Sequence, residues 1–270
     1  VSDIDKTARR RSALKIRQLG QAMTEFLVIA PLLLFFCFGT IQFVLLYQAK
    51  STLDVAVLEA AREGAVNHGS MTAMQAGLAR GLAPLYARRA TVEGVQAAQS
   101  KAAVDLVTAS QINIVSPTPA MISDFARPRY YPEEGAYEVE IPNDTLMYRS
   151  SALGSASGVD IQDANLLKIR VHYCYNMYVP LVNKVIYYVT NVIGTIGTGG
   201  ILTREPGDYI EYPYGEPQHP DFLCKVKLAD GMATDRWPLP LESEVIVRMQ
   251  SPYRSQSGDV TQNTARLRTP

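Results

Sequence analysis

The stretch Arg17-Gln18-Leu19-Gly20-Gln21-Ala22-Met23-Thr24-Glu25-Phe26 closes a basic segment and opens an apolar one. It sets one carboxylate, Glu25, at the edge of 24 uncharged residues, Phe26 to Ala49. Gly20 is small enough for a protease to reach the backbone, and hydrolysis after it would leave a new amine on Gln21. On a helix that amine lies about one turn from the Glu25 side chain, because residues four apart share a face. A carboxylate deep in hydrocarbon costs about 2.5 to 3.5 kcal/mol, so Glu25 is expected to have either a partner or a water-exposed position. A plain anchor has no use for it.

Other chemistry is sparse. His68, His172 and His219 are scattered, without the paired spacing of a zinc site or a nearby Cys-x-x-Cys. Gly154-Ser155-Ala156-Ser157-Gly158 resembles a nucleophile elbow only superficially, since that motif needs serine in the middle and Ala156 stands there. Gly194-Thr195-Ile196-Gly197-Thr198-Gly199-Gly200 lacks the dinucleotide spacing and the lysine of a phosphate loop. Glu138, Glu140 and the Pro142-Asn143-Asp144 turn do not make a complete calcium loop. No catalytic, cofactor-binding or metal residues are expected, and the chain does not read as an enzyme.

Of three cysteines, Cys37 lies inside the apolar run, where a small apolar thiol is expected. Cys174 and Cys224 form an even pair that an oxidising periplasm would link, and two isolated thiols are the alternative.

These residues need a long helix to position them. Phe26 to Leu46 alone would span about 31 Å, a full bilayer crossing. Six cations, Lys6, Arg9, Arg10, Arg11, Lys15 and Arg17, precede it against Asp3 and Asp5, which predicts a cytoplasmic leader. A secretory signal would have a shorter apolar region followed by a small-residue cleavage site; here the small residue comes before the run. Leu53, Ala56, Val57, Ala60, Ala61 and Gly64 continue one helical face to a stop at Asn67-His68-Gly69. The helix is expected to cover about 45 residues, with Pro31 and Gly39 as places to bend.

Beyond it, Met71 to Ala87 and Val92 to Ser110 read as helices, and Ile112 and Ile114 as a short strand. Ala136 to Ile141, Leu167 to Tyr175 and Glu244 to Met249 alternate as strands do. Leu181 to Val192 stays open between helix and strand: its β-branched and tyrosine residues favour strand locally. Pro117 to Pro132, Ser150 to Gly158 and Glu205 to Pro220 read as loops. Tyr130, Tyr131, Tyr209, Tyr212 and Tyr214 either form an adhesive surface or cover the sheet. The expected fold class is α+β: a long N-terminal transmembrane and amphipathic helix, then an extracytoplasmic head with a small antiparallel sheet. The expected organisation is a basic leader at 1–20, the helix at 21–66, the head at 67–250 and a polar, mobile tail at 251–270. Without the leader, 20 Lys and Arg stand against 24 Asp and Glu, which argues against nucleic acid as a partner.

The segment from about 17 to 66 resembles the TadE-like minor pilins of the tight-adherence (Tad) pilus, a branch of the type IV pilus superfamily. The likeness rests on Gly20-Gln21-Ala22 with Glu25-Phe26, on Ala30-Pro31-Leu32-Leu33-Leu34, on Gly39 with Ile41-Gln42-Phe43, and on Ala60-Ala61-Arg62-Glu63-Gly64-Ala65. It continues more faintly in residues 163–171, 173–180 and 243–249. Gln42 stands where many relatives carry Glu, and Gln21 replaces the aromatic that begins most type IV pilins, which favours the Tad branch. The resemblance implies a prepilin cleaved after Gly20 by a prepilin peptidase, with Glu25 pairing with the Gln21 amine of a neighbouring subunit. It also implies other pilins and an inner-membrane assembly platform as partners. A membrane-anchored precursor with a periplasmic head, later moved into an extracellular filament or its base or tip, is the expectation. The alternative is an uncleaved single-span protein whose periplasmic head scaffolds or binds an envelope partner.

Overall fold

The computed structural model describes residues 2–133, 135–196, 224, 227 and 234–254; side chains are described at Met23 and from Glu25 onward, those of 190–196 excepted. Helix α1 runs Ser2–Val66, 65 residues without a break at Pro31 or Gly39. It begins well before the expected position 21, because Ala, Arg, Lys and Leu in the leader are strong helix formers and no proline or glycine precedes Gly20. It ends as expected. His68 adopts a left-handed φ of 57°, Gly69 one of 78°, and the Gly69 N–H donates back to the Gly64 carbonyl at 2.8 Å, which closes the last turn.

Helix α2 (Met71–Tyr86) folds back on α1, and α3 (Val92–Ala109), capped by the Thr91 hydroxyl, follows. The α1–α2 crossing is close because Gly77 and Gly81 face Ala60 and Ala56. A Cβ on Gly81 would come within 2.4 Å of the Ala56 Cα, and one on Gly77 within 2.9 Å of the Ala60 Cα. Arg80 of α2 ties the pair from outside, donating to Glu63 at 2.6 Å and Glu59 at 3.1 Å.

Strand β1 (Ser110–Ser116) leads to α4 (Pro119–Phe125), β2 (Arg127–Tyr131), β3 (Ala136–Ile141), a 3-10 turn (Leu146–Tyr148), α5 (Ile161–Ala164) and β4 (Leu166–Met177). Helix α6 (Val182–Ile196), β5 (Trp237–Arg248) and β6 (Tyr253–Arg254) complete the described elements. Among the described residues there are two three-stranded antiparallel sheets, ordered β1-β4-β5 and β2-β3-β6. The first carries the core. Leu167, Ile169, Val171, Tyr173, Tyr175 and Met177 of central β4 are buried and join Leu53, Val57, Leu78 and Leu82 from α1 and α2 in one cluster. The opposite face carries Lys168, Arg170 and His172 against Glu242 and Glu244 of β5. Burying a leucine or valine in such a cluster contributes about 1.5 to 3 kcal/mol.

Two expectations need correction, and one open choice is decided. Residues 117–132 are not loop: α4 starts with proline at a position where its missing N–H costs nothing, and β2 pairs with β3 although Pro128 sits in it. The 181–192 stretch is helical, because its apolar residues fall three and four apart against β5 and the β4 edge it follows is already paired. The tail at 251–270 is folded at its start, where Tyr253 is buried and β6 pairs with Glu140 and Ile141. Strand β5 also begins seven residues earlier than its alternation suggests. Pro238 and Pro240 mask it in sequence, yet an edge strand tolerates proline.

Candidate functional site: the two halves of helix α1

Helix α1 changes partners along its length. From Ala49 onward, Ala49, Leu53, Ala56, Val57, Ala60, Ala61 and Ala65 are buried against the head at the three-to-four spacing of one helix face. Before it, the apolar side chains stand open: Phe26 is 71% exposed, Leu27 73%, Phe43 66%. The segment from Glu25 has a mean hydropathy of 2.3 over its most apolar window and is long and apolar enough to cross a membrane. Such a surface is unstable in water, so it must meet lipid or other apolar helices.

Gly20 and Gln21 lie within α1, one turn before Glu25, which is exposed. Pro31 and Gly39 sit inside the uninterrupted helix; a Cβ on Gly39 would meet nothing within 4 Å in this chain. Cys37 is exposed on the same half, and its carbonyl accepts the Thr40 hydroxyl at 2.8 Å.

Polar ties join α1 to the head at several levels. Gln42 is fully buried, and its Oε1 accepts the Val179 N–H at 3.0 Å from the turn between β4 and α6. Lys50 Nζ donates to the Glu242 carbonyl at 2.7 Å and pairs with Asp54 at 2.5 Å. The Ser243 hydroxyl donates to Asp54 at 2.6 Å. Asp54 is held below the usual carboxylate range by hydrogen bonds from Lys50 and Ser243, which outweigh a raising effect of burial that is its largest single influence. At the far end, the Gln250 and Ser251 N–H groups and the Ser251 hydroxyl all donate to the Ala65 carbonyl.

A second polar cluster lies where α1, α2, α3 and β4 meet. Tyr86 donates to Asp105, Lys227 Nζ pairs with Asp105 at 2.8 Å, and the Tyr86 and Tyr173 hydroxyls are 2.8 Å apart. Burial pushes both tyrosines far above their ordinary range, so both stay protonated donors. Cys174 and Cys224 are bonded, with Cα atoms 5.5 Å apart, and this linkage places Lys227 over Tyr173. The cluster is closed by its own partners and presents no reacting group.

The remaining candidates do not converge. His68 Nδ1 contacts the Pro252 carbonyl, His172 is buried in the sheet, and His219 lies outside the described residues, as do Tyr209, Tyr212 and Tyr214. Tyr130 stacks on Tyr137, and Tyr131 donates to buried Glu140, so these two tyrosines serve the second sheet. Ser157 and Ala156 donate their N–H groups to Asp124, which fixes the serine loop as structure. Among the described residues no His, Cys, Asp and Glu cluster is placed to hold a metal.

Among the described residues the long uncovered apolar surface is the first half of α1. A family model described as TadE-like protein matches residues 20–62. This segment is TadE-like. The match starts at Gly20, covers Glu25, the whole exposed apolar half and Gln42, and ends where α1 is packed against α2. The TadE-like segment thus contains both halves of the helix: the part open to lipid or partners and the part that holds the head. No curated protein and no solved structure matches the chain. Sequence reasoning missed the work of Gln42, which it took only as a departure from the family; a lone amide near the end of an apolar run was the available signal. The Asp105–Lys227 pair left no signal at all, since 122 residues separate its members.

Proposed function

We propose that this chain is a minor pilin or pseudopilin of a Tad-type, type IV-like pilus, made as a membrane-anchored precursor and cleaved after Gly20 by a prepilin peptidase. The observation that carries this is the coincidence of the TadE-like match with a helix whose first half is apolar and uncovered while its second half is fixed to a folded head. Residues 1–20 are the leader, 21–66 the assembly helix and 67–250 the head, held on the periplasmic side of the inner membrane. The protein acts by bundling helices and not by catalysis, and needs no cofactor.

In the membrane the exposed half of α1 faces lipid; in the filament it faces other α1 helices. Gly39, whose bare Cα nothing in this chain requires, lets a neighbouring helix come close. Glu25 pairs with the Gln21 amine of an adjoining subunit, which converts a membrane liability into a device for register. Partners are the peptidase, other pilins and the inner-membrane assembly platform, and the assembled protein lies in the extracellular filament or at its base or tip.

Blocking the cut tests this. Gly20→Phe in the native host should leave a membrane-bound precursor heavier than the mature protein by the whole leader and absent from filaments. Equal masses for wild type and Gly20→Phe would remove the prepilin reading.

A further inference from the structure

The polar ties between α1 and the head fix which way the head points. Asp54 of α1 holds Ser243 of β5, and twelve residues nearer the N-terminus Gln42 holds Val179, just past the end of β4. Val171 is the β4 partner of Ser243, so β4 runs from the Asp54 level toward the Gln42 level. The C-terminal end of β4, the N-terminal end of β5 and helix α6 therefore lie at the membrane end of the head.

The level of Gln42 is the deciding quantity. It stands 16 residues after Phe26, about 24 Å along a helix, and the hydrocarbon core of a bilayer is about 30 Å thick. With Phe26 at the inner boundary, a head tied to Gln42 cannot clear the outer one.

The residues gathered at that end have the character of a membrane interface. Tyr187 and Tyr188 of α6 pack on buried Trp237, with ring centroids 4.8 Å and 5.6 Å from it, and exposed Tyr178 meets Tyr175 edge-on at 5.9 Å. Arg236 lies over the Tyr178 ring at 5.1 Å, and Lys184 pairs with Asp235 at 2.9 Å. Leu181, Val185, Tyr188 and Val189 are exposed at helical spacing, one apolar stripe on and just before α6 that no part of the described chain covers. Aromatic rings beside basic residues are what the boundary between headgroups and acyl chains selects, and an apolar helical stripe there lies in the interface plane.

We propose that the exposed stripe of α6, with Tyr178 beside it, forms a lipid-docking surface, seated in the outer leaflet of the same phospholipid bilayer that α1 crosses. The occupant is lipid because the Gln42–Val179 tie holds the start of α6 at a level of α1 that lies within the thickness of the bilayer. The proposal rests on α1 spanning the membrane, and it is independent of the pilus reading. Docking would hold the head in one orientation over its anchor until the helix leaves the membrane.

The full chain, reconstituted in vesicles of phosphatidylethanolamine and phosphatidylglycerol, carries an environment-sensitive fluorophore on one cysteine at a time. Val185→Cys, Val189→Cys and Val104→Cys, the last on exposed α3, are made in a Cys37→Ser background; Cys37 itself is labelled in the otherwise unchanged chain. Lipid-borne nitroxides should quench the 185 and 189 labels several-fold more than the 104 label, and should quench Cys37 most. Quenching at Cys37 with 185 and 189 no different from 104 would overturn the docking surface and leave the span intact. Labels at 185 and 189 shielded from both lipid-borne and aqueous quenchers would mean that protein covers α6, and would equally overturn it. An unquenched Cys37 label would refute the span and the docking together, without touching the cleavage test at Gly20.

Discussion

Two polar side chains in the TadE-like segment, Glu25 and Gln42, can each be removed alone. Glu25 is exposed at the start of the apolar half, one turn from Gln21. Glu25→Gln keeps its shape and removes its charge. If the carboxylate pairs with a Gln21 amine of another subunit, the change leaves a poorly solvated cation in the bundle, a penalty of about 3 to 5 kcal/mol where the pair is well buried. Cleavage and membrane abundance should stay normal while co-purification with other pilins and surface piliation fall. Full piliation in a strain whose only copy is Glu25→Gln would refute the pairing. Gln42 works inside the subunit. Gln42→Leu leaves the Val179 N–H without its acceptor, at a cost of about 1 to 3 kcal/mol. Hydrogen exchange at Val179 and the first turn of α6 should accelerate, with the core of β4 unchanged; equal exchange in both proteins would show that the tie does not hold the head.

At the scale of elements, the α1–α2 crossing and the central sheet decide stability. Gly81→Val places atoms into the Ala56 backbone and should destabilise the head by about 1 to 3 kcal/mol, seen as a lower midpoint in denaturant. Central β4 contributes a pH dependence through His172. Burial, opposed by nearby Glu242 and reinforced by Arg170, holds its imidazole below the ordinary histidine value, so the folded protein keeps it neutral. The unfolded chain binds that proton first. Stability is therefore fully present above about pH 6.5 and declines as pH falls toward the folded value. His172→Gln should flatten that part of the stability profile; an identical profile would exclude His172 as the cause.

How far these elements were legible follows from where their signals sit. Helices α2 and α3, and strands β3 and β4, announce themselves by local periodicity, because one face of each is the more buried. Strand β5 hides its first half behind Pro238 and Pro240, and α6 carries strand-like residues whose helical state is settled by packing on Trp237. Gly20, Gln21 and Glu25 stand out in the sequence because the chemistry proposed for them is local to one stretch of one helix. The ties at Gln42, Lys50 and Asp54 join residues 137 to 192 positions apart, and nothing local marks them.

For the whole molecule, the apolar segment and the head are built as one body, because α1 is long and apolar enough to cross a membrane in its first half and packs into the core of the head in its second. The Cys174–Cys224 bond closes a separation of 50 residues that contains α6, and should stabilise the head by about 4 kcal/mol in the chain-entropy view. Peptides from periplasm-derived protein, mapped without reduction, should show the two cysteines linked; two free thiols there would end that expectation. The account as a whole turns on the mature N-terminus. Intact mass spectrometry of the native protein, taken from both membranes and sheared filaments, should give a chain that begins at Gln21 in both fractions. A protein that keeps residues upstream of Gly20 and never enters the filament fraction would contradict it, and would leave an uncleaved single-span scaffold.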